Sequence, residues 1–200
     1  GILPGIKVDL GLVNLALSDQ EKVTQGLDGL PERMAAYREA GAYFAKWRAV
    51  YNITNEKPSE QAILTNAEML ARYAAICQEA QIVPIVEPEV LIDGDHTIER
   101  CYEVTDRVLQ AVFAALARHN VALEHIILKP SMVIAGQACA EQASVEKVAQ
   151  MTLRVLEANV PTSVPTINFL SGGQSDEQAT ENLQAMNAIK TPSQSWEVSY

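Results

Sequence analysis

Positive charge is scarce in this chain of 200 residues. Fifteen lysines and arginines face 25 aspartates and glutamates, for a formal net charge of −10. Nucleic acids and anionic membrane surfaces both select basic patches, so the balance argues against either as a partner. A small anionic substrate stays open, because a local cationic pocket can outweigh the global field. Long apolar runs are missing too. No stretch approaches the roughly 18 to 20 apolar residues of a membrane span. The apolar share of 48% still suits a single domain over residues 1–200 with a sizeable core. The opening Gly1-Ile2-Leu3-Pro4-Gly5-Ile6-Lys7 lacks the basic flank and cleavage pattern of a signal peptide. It reads as a strand, and it suggests a chain that begins inside a larger sequence.

Cysteine is sparse: Cys77, Cys101 and Cys139, widely spaced and with no CxxC pair. That pattern reads as reduced, buried thiols in a cytoplasmic setting rather than as a disulfide framework or metal site. Without a secretory signal, the sequon Asn52-Ile53-Thr54 is expected to be a chance match. The histidines His96, His119 and His125 share no ligand spacing with each other or with the cysteines. Asp93-Gly94-Asp95-His96 lacks the regular oxygen ligands of a calcium loop and reads as a turn before a helix. His119 suits a helix C-terminus, and His125 a structural place at the start of a strand. No metal and no cofactor are expected.

What is present is a repeat. Apolar, strand-like runs cover Ile2–Val8, Ala42–Val50, Ile82–Val86, Glu124–Lys129, Thr166–Leu170 and Ser195–Tyr200. Continuous apolar runs of this kind fit parallel strands covered on both faces. Helical patterns fill the gaps at Pro31–Ala40, Ser59–Glu79, from Asp95 or Thr97 to His119, Val145–Ala158 behind Ser144, and Glu177–Ile189 behind Ser175. Asp9–Leu30 reads as one long irregular segment. The expected fold is α/β, a (β/α)8 TIM barrel represented by about six βα units, since closure needs eight strands. The missing two are expected before Gly1.

Lys7, Lys46, Glu87, Lys129 and Ser171 close successive apolar runs and stand 39 to 42 residues apart. A polar residue at the end of each strand is how a barrel assembles an active site. Lys129 ends Ile126-Ile127-Leu128, where an amine in apolar surroundings can serve as a nucleophile. Lys46 and Arg48 lie two apart on one strand and so face the same side, as a candidate phosphate clamp. Glu87 and Glu89 stand two apart at the end of another, as a candidate acid/base pair. Ser171-Gly172-Gly173 precedes a helix, and its backbone can approach an anion.

The stretches Gly1–Asp9, Thr24–Leu30, Phe44–Arg48, Ile82–Glu89, Leu128–Pro130 and Phe169–Ser175 together resemble class I fructose-1,6-bisphosphate aldolase, in the family's order. The resemblance implies strands three to eight of that barrel and a metal-free mechanism. Lys129 would form the Schiff base. Lys46 would keep that amine nucleophilic, and Glu87 would shuttle protons with Glu89 in support. Ser171, Gly172 and Gly173 would hold the 1-phosphate of the sugar, and Lys7 and Arg48 would lie toward the 6-phosphate. It also implies a cytoplasmic homotetramer. The family's first-strand aspartate would precede Gly1, and its eighth-strand arginine and C-terminal tail would follow Tyr200. The isolated segment is therefore expected to be inactive or unfolded. Two alternatives stay open: another Schiff-base aldolase of the transaldolase type, and a non-catalytic aldolase-like scaffold.

Overall fold

The computed structural model describes residues 1–200. In chain order its elements are β1 (Gly5–Lys7), β2 (Leu12–Asn14), β3 (Lys22–Thr24), α1 (Leu30–Glu39), β4 (Phe44–Tyr51), α2 (Glu60–Glu79) and β5 (Val83–Val90). Then come α3 (Ile98–Arg118), a 3-10 turn at Leu123–His125, β6 (Ile127–Leu128), α4 (Val145–Asn159), β7 (Thr166–Asn168), α5 (Asp176–Ile189) and β8 (Glu197–Ser199). Six strands form one parallel sheet in the order β1-β4-β5-β6-β7-β8. The order never reverses, and each helix from α1 to α5 packs on the next. The helices therefore form one layer on one face of the sheet. That is the winding of a partial (β/α) barrel rather than of a doubly wound sheet. No helix is long and apolar enough to cross a membrane.

The alternation of β4 sorts the two faces. Ala45, Trp47 and Ala49 are fully buried beneath the helices, and Trp47 stacks on Tyr73 of α2 with centroids 5.5 Å apart. Phe44, Lys46 and Arg48 point the other way and are only partly buried. Four helices begin on a capping side chain: Ser59, Thr97, Ser144 and Ser175 accept from Ala62, Arg100, Lys147 and Gln178 N–H. Each satisfies an amide the helix itself leaves free. Thr97, not Asp95, is the cap of α3.

Three elements differ from the sequence expectation. β5 does not stop at Val86 but runs to Val90, so Glu87-Pro88-Glu89 lies inside a strand. Prolines in a central strand need a place where no amide is required. The amides of Val83 and Leu91 donate to Tyr43 and Tyr51 of the β4 side. Pro84 and Pro88 share the opposite parity and turn toward β6, which pairs only at Ile85 and Val86. The run Glu124–Lys129 yields the 3-10 turn and two strand residues, because Leu123–His125 tightens into a turn first. Within Asp9–Leu30, β2 and β3 form an antiparallel hairpin, Leu12 opposite Thr24 and Asn14 opposite Lys22.

That hairpin is docked on the start of α2. Glu21 is buried, and its carboxylate accepts from Ser59 N–H at 2.8 Å, Ser59 Oγ at 2.5 Å and Ser18 Oγ at 3.1 Å. Asn66 of α2 donates to Lys22 O at 2.9 Å. Leaving the Ser59 amide without an acceptor carries a penalty of about 1–3 kcal/mol. Glu21→Ala is accordingly expected to lower stability by that amount in chemical denaturation, and Glu21→Gln by less, because the amide oxygen still accepts. Equal stability in all three proteins would show that the hairpin is not anchored here. The thiols give a second check. Burial pushes Cys77 up to about 12 and Cys101 up to about 11, while Cys139 is half-exposed. Near pH 8 a disulfide reagent is expected to react quickly with Cys139 alone, and with all three only after denaturation.

Candidate active site

A parallel sheet with one winding direction brings the C-terminal ends of its strands to one rim. Lys7, Lys129 and Ser171 stand at or just past strand ends, whereas Lys46 and Glu87 lie inside β4 and β5 rather than closing them, because both strands run on past the charged residue. β1 ends on Lys7, β4 carries Lys46 and Arg48, β5 carries Glu87 and Glu89, Lys129 follows β6, and Ser171 follows β7. The register aligns Lys7 with Lys46 and Arg48 with Glu87. Lys129 donates its backbone N–H to Val86 O at 2.8 Å, which sets its side chain beside Glu87.

Glu87 is the centre of the arrangement. Its side chain is only 4% exposed, and its two oxygens face two lysines. Oε1 lies 3.1 Å from Lys129 Nζ, and Oε2 lies 3.0 Å from Lys46 Nζ. A carboxylate this deeply placed needs charge partners, and here it has two. Both contacts are close in distance but off the direction of a hydrogen bond, and Oε2 keeps hydrogen-bonding capacity in a buried spot. The lysine side chains remain 22% and 31% exposed, so the pair is within reach of a solute. The arrangement offers an amine, a proton carrier in contact with it and a second cation on the carrier's far side.

A second ion pair stands next to it. Arg48 Nε donates to Glu89 Oε2. The hydrogen bond to Glu89 holds the guanidinium above its usual range against the opposing effect of burial, and the charges of Glu89, Glu87 and Asp9 add to it. Glu89 thus shares a face of β5 with Glu87 but pairs with Arg48 rather than with the lysines. Lys7 is half-exposed and turns its amine to the Asp9 carboxylate and, at 3.2 Å, to the Asp9 carbonyl.

Asp9 is the residue that sequence reasoning passed over. It is 7% exposed, and its carboxylate also accepts from Gly11 N–H at 3.2 Å and Arg48 N–H at 3.3 Å. It therefore ties the end of β1 to β4 beside Arg48. Thr24 of the hairpin donates to Arg48 O at 2.6 Å and braces the same point. The available signal was an acid two residues after Lys7 and two before a glycine.

The Ser171-Gly172-Gly173 turn lies between β7 and α5. Gly172 and Gly173 take φ of 57° and 84°, the left-handed region that favours glycine. Gln174 braces the turn from beneath: its Nε2 donates to Ser171 O at 2.9 Å, and its Oε1 accepts from Asn182 at 2.6 Å. Leu170 N–H reaches Pro130 O at 3.3 Å, linking the turn to the residue after Lys129. The amides of Gly172 and Gly173 and the Ser171 hydroxyl have no acceptor within the chain. These are donors arranged for an anion.

The histidines stand apart from this rim chemistry. His119 ends α3 with Nε2 2.7 Å from Glu68 Oε1, and His125 sits in the 3-10 turn before β6. His96 is buried in the loop after β5 with both ring nitrogens unpartnered. Burial pulls its pKa below the usual value, Asp95 opposes that, and Arg100 adds to it.

The family model described as fructose-bisphosphate aldolase class-I matches residues 1–200. Fructose-bisphosphate aldolase 6, cytosolic, of Arabidopsis thaliana is 56% identical over the full chain, which spans 55% of that relative. Fructose-bisphosphate aldolase C of Mus musculus is 56% identical over 192 residues, 96% of this chain and 53% of the relative. The chain thus spans about half the length of the curated relatives it matches. A co-crystal structure of fructose-bisphosphate aldolase from Plasmodium falciparum, in complex with TRAP and a small-molecule inhibitor, superposes with a TM-score of 0.96 at 50% identity. It is matched over 100% of this chain and 57% of its own. With that match along its whole length, the chain belongs to the class-I fructose-bisphosphate aldolases.

Proposed function

We propose that this chain forms strands three to eight of a (β/α)8 barrel and supplies the Schiff-base machinery for reversible cleavage of fructose 1,6-bisphosphate. The products are dihydroxyacetone phosphate and glyceraldehyde 3-phosphate. The observation that carries this reading is the buried Glu87 carboxylate held between Lys129 and Lys46. The role of each residue follows from its position. Glu87 takes a proton from the Lys129 ammonium across 3.1 Å, and the free amine attacks the ketone carbon. The same carboxyl group returns that proton to the carbinolamine oxygen, then relays a second proton from the attacking nitrogen to it; the oxygen leaves as water, and an iminium remains on Lys129. The carbon-4 hydroxyl then gives its proton to a base, a role the family resemblance gives to the first-strand aspartate of the full-length enzyme; the bonding pair between carbons 3 and 4 moves into the iminium as an enamine, and the aldehyde departs. Protonation of the enamine and hydrolysis release the second product and restore the amine.

Lys46 keeps the far oxygen of Glu87 beside a positive charge throughout. That balances the charge of the carboxylate in its buried place. Ser171, Gly172 and Gly173 take the 1-phosphate through their free donors, and α5 begins three residues beyond with its positive dipole end. Lys7 and Arg48 serve the 6-phosphate side. Because Arg48 is engaged by Glu89 and Lys7 by Asp9, each would bind substrate as part of an ion pair. The same reading makes the enzyme glycolytic and cytoplasmic, in line with the names of the family and of the Arabidopsis relative, and a homotetramer by family resemblance.

Borohydride reduction of the full-length enzyme in the presence of fructose 1,6-bisphosphate tests the assignment. Substrate is expected to become fixed on Lys129, and Lys129→Ala to remove the adduct. Glu87→Gln is expected to slow turnover by about 10²- to 10⁴-fold, the usual range for general acid–base catalysis, with the lysine still reducible in place. Labelling of another lysine, or no labelling at all, would sink this assignment, and only the absence of any adduct would leave the scaffold reading.

A further inference from the structure

The loop after β6 is sewn onto the loop after β5. Gly136 N–H donates to His96 O at 2.8 Å, Gln137 N–H to Ile92 O at 3.0 Å and Ala138 N–H to Gly94 O at 2.9 Å. The two backbones touch where they cross. A Cβ on Gly136 would stand 2.3 Å from Gly94 O and 3.0 Å from His96 Nδ1, so no side chain fits between them. The backbone of Gln137 is therefore fixed by three successive hydrogen bonds around it. Its side chain is exposed and has no hydrogen-bond partner in the chain.

That side chain reaches the Ser171-Gly172-Gly173 turn. Gln137 Nε2 lies 2.9 Å from the point where a Cβ of Gly173 would stand, and its Cδ lies 3.9 Å from it. The amide nitrogen, not the carbon stem, thus faces the turn. An N–H2 group with both hydrogens free stands over three further free donors: the Ser171 hydroxyl and the amides of Gly172 and Gly173. Four donors lie on or beside one turn, and no acceptor of the protein answers them. Such a cluster is completed by an anion.

We propose that Gln137 is a direct ligand of the substrate phosphate held at this turn, its carboxamide donating to a phosphate oxygen. The proposal rests on the phosphate reading of the turn given above. It adds a specificity-determining residue from the loop that follows the Schiff-base lysine, eight residues beyond Lys129.

Steady-state kinetics of the full-length enzyme, with inorganic phosphate as a competitive inhibitor, test it. One neutral hydrogen bond corresponds to roughly a three- to ten-fold change in binding. Gln137→Ala is expected to raise KM for fructose 1,6-bisphosphate and the inhibition constant of inorganic phosphate by that factor, with the smaller share of the loss in kcat. Gln137→Glu keeps the shape and sets a carboxylate against the anion. It is expected to raise both constants about ten-fold beyond Gln137→Ala, and added salt is expected to narrow that gap. A purely structural role would make the two variants alike, and that result overturns the proposal. Ser171→Ala separates the two readings. If it weakens phosphate inhibition while neither Gln137 variant does, the role of Gln137 is wrong and the phosphate turn stands. If it too leaves phosphate inhibition unchanged, the turn is not the phosphate site and the proposal falls with it.

Discussion

A carboxylate with 4% of its side chain exposed cannot stand alone in a protein interior, and the rim of this sheet is organised around that constraint at Glu87. Its two oxygens draw one lysine from each neighbouring strand, so β4, β5 and β6 are tied together through a single side chain. The polar cluster therefore serves position before it serves chemistry. Lys129 has four methylenes of freedom, and the ion pair removes most of it. The Lys129 amine is already oriented beside a carboxylate, with the second lysine balancing that carboxylate's charge. The neighbouring Arg48–Glu89 pair, two residues farther along the same strands, repeats the motif and widens the rim without crowding the lysines.

Much of this was legible in the sequence because strands expose their chemistry by parity and by position. Lys46 and Arg48 had to share a face if that segment was a strand, and Glu87 and Glu89 likewise. Lys129 stood out because a charge rarely closes a run such as Ile126-Ile127-Leu128. The winding followed from a regular spacing of strand-like and helix-like segments. Helix starts at Ser59, Ser144 and Ser175 were legible for the same reason: the cap is a local rule, and the side chain that obeys it lies within three residues.

What escaped the sequence was decided by partners distant in the chain. β5 looked finished at Val86 because Glu87-Pro88-Glu89 has the composition of a loop. Only β4, eight residues long beside it, holds that stretch extended. The β2–β3 hairpin has three residues per strand and an exposed first strand, so it shows no alternation. Its fold is enforced by Glu21 and Asn66 reaching between the hairpin and α2. Asp9 carries only the weak signal of its spacing from Lys7 and Gly11, and Gln137 carries none. One is an acid at the end of a short run and the other a single amide in a loop, and each acquires meaning from groups about 40 residues away.

The two prolines of β5 have a consequence for how β6 can sit. Amides of one parity turn from β5 toward β6, and at Pro84 and Pro88 that parity offers none. Val86 lies between them, and the next amide, that of Val90, is already claimed by Ser131 Oγ at 3.0 Å. A strand sliding past β5 by one pleat in either direction would meet an imino ring where it needs a donor. The imino rings work as stops on a rail, leaving one seat for Ile127 and Leu128, and from that seat the next side chain along, Lys129, faces Glu87.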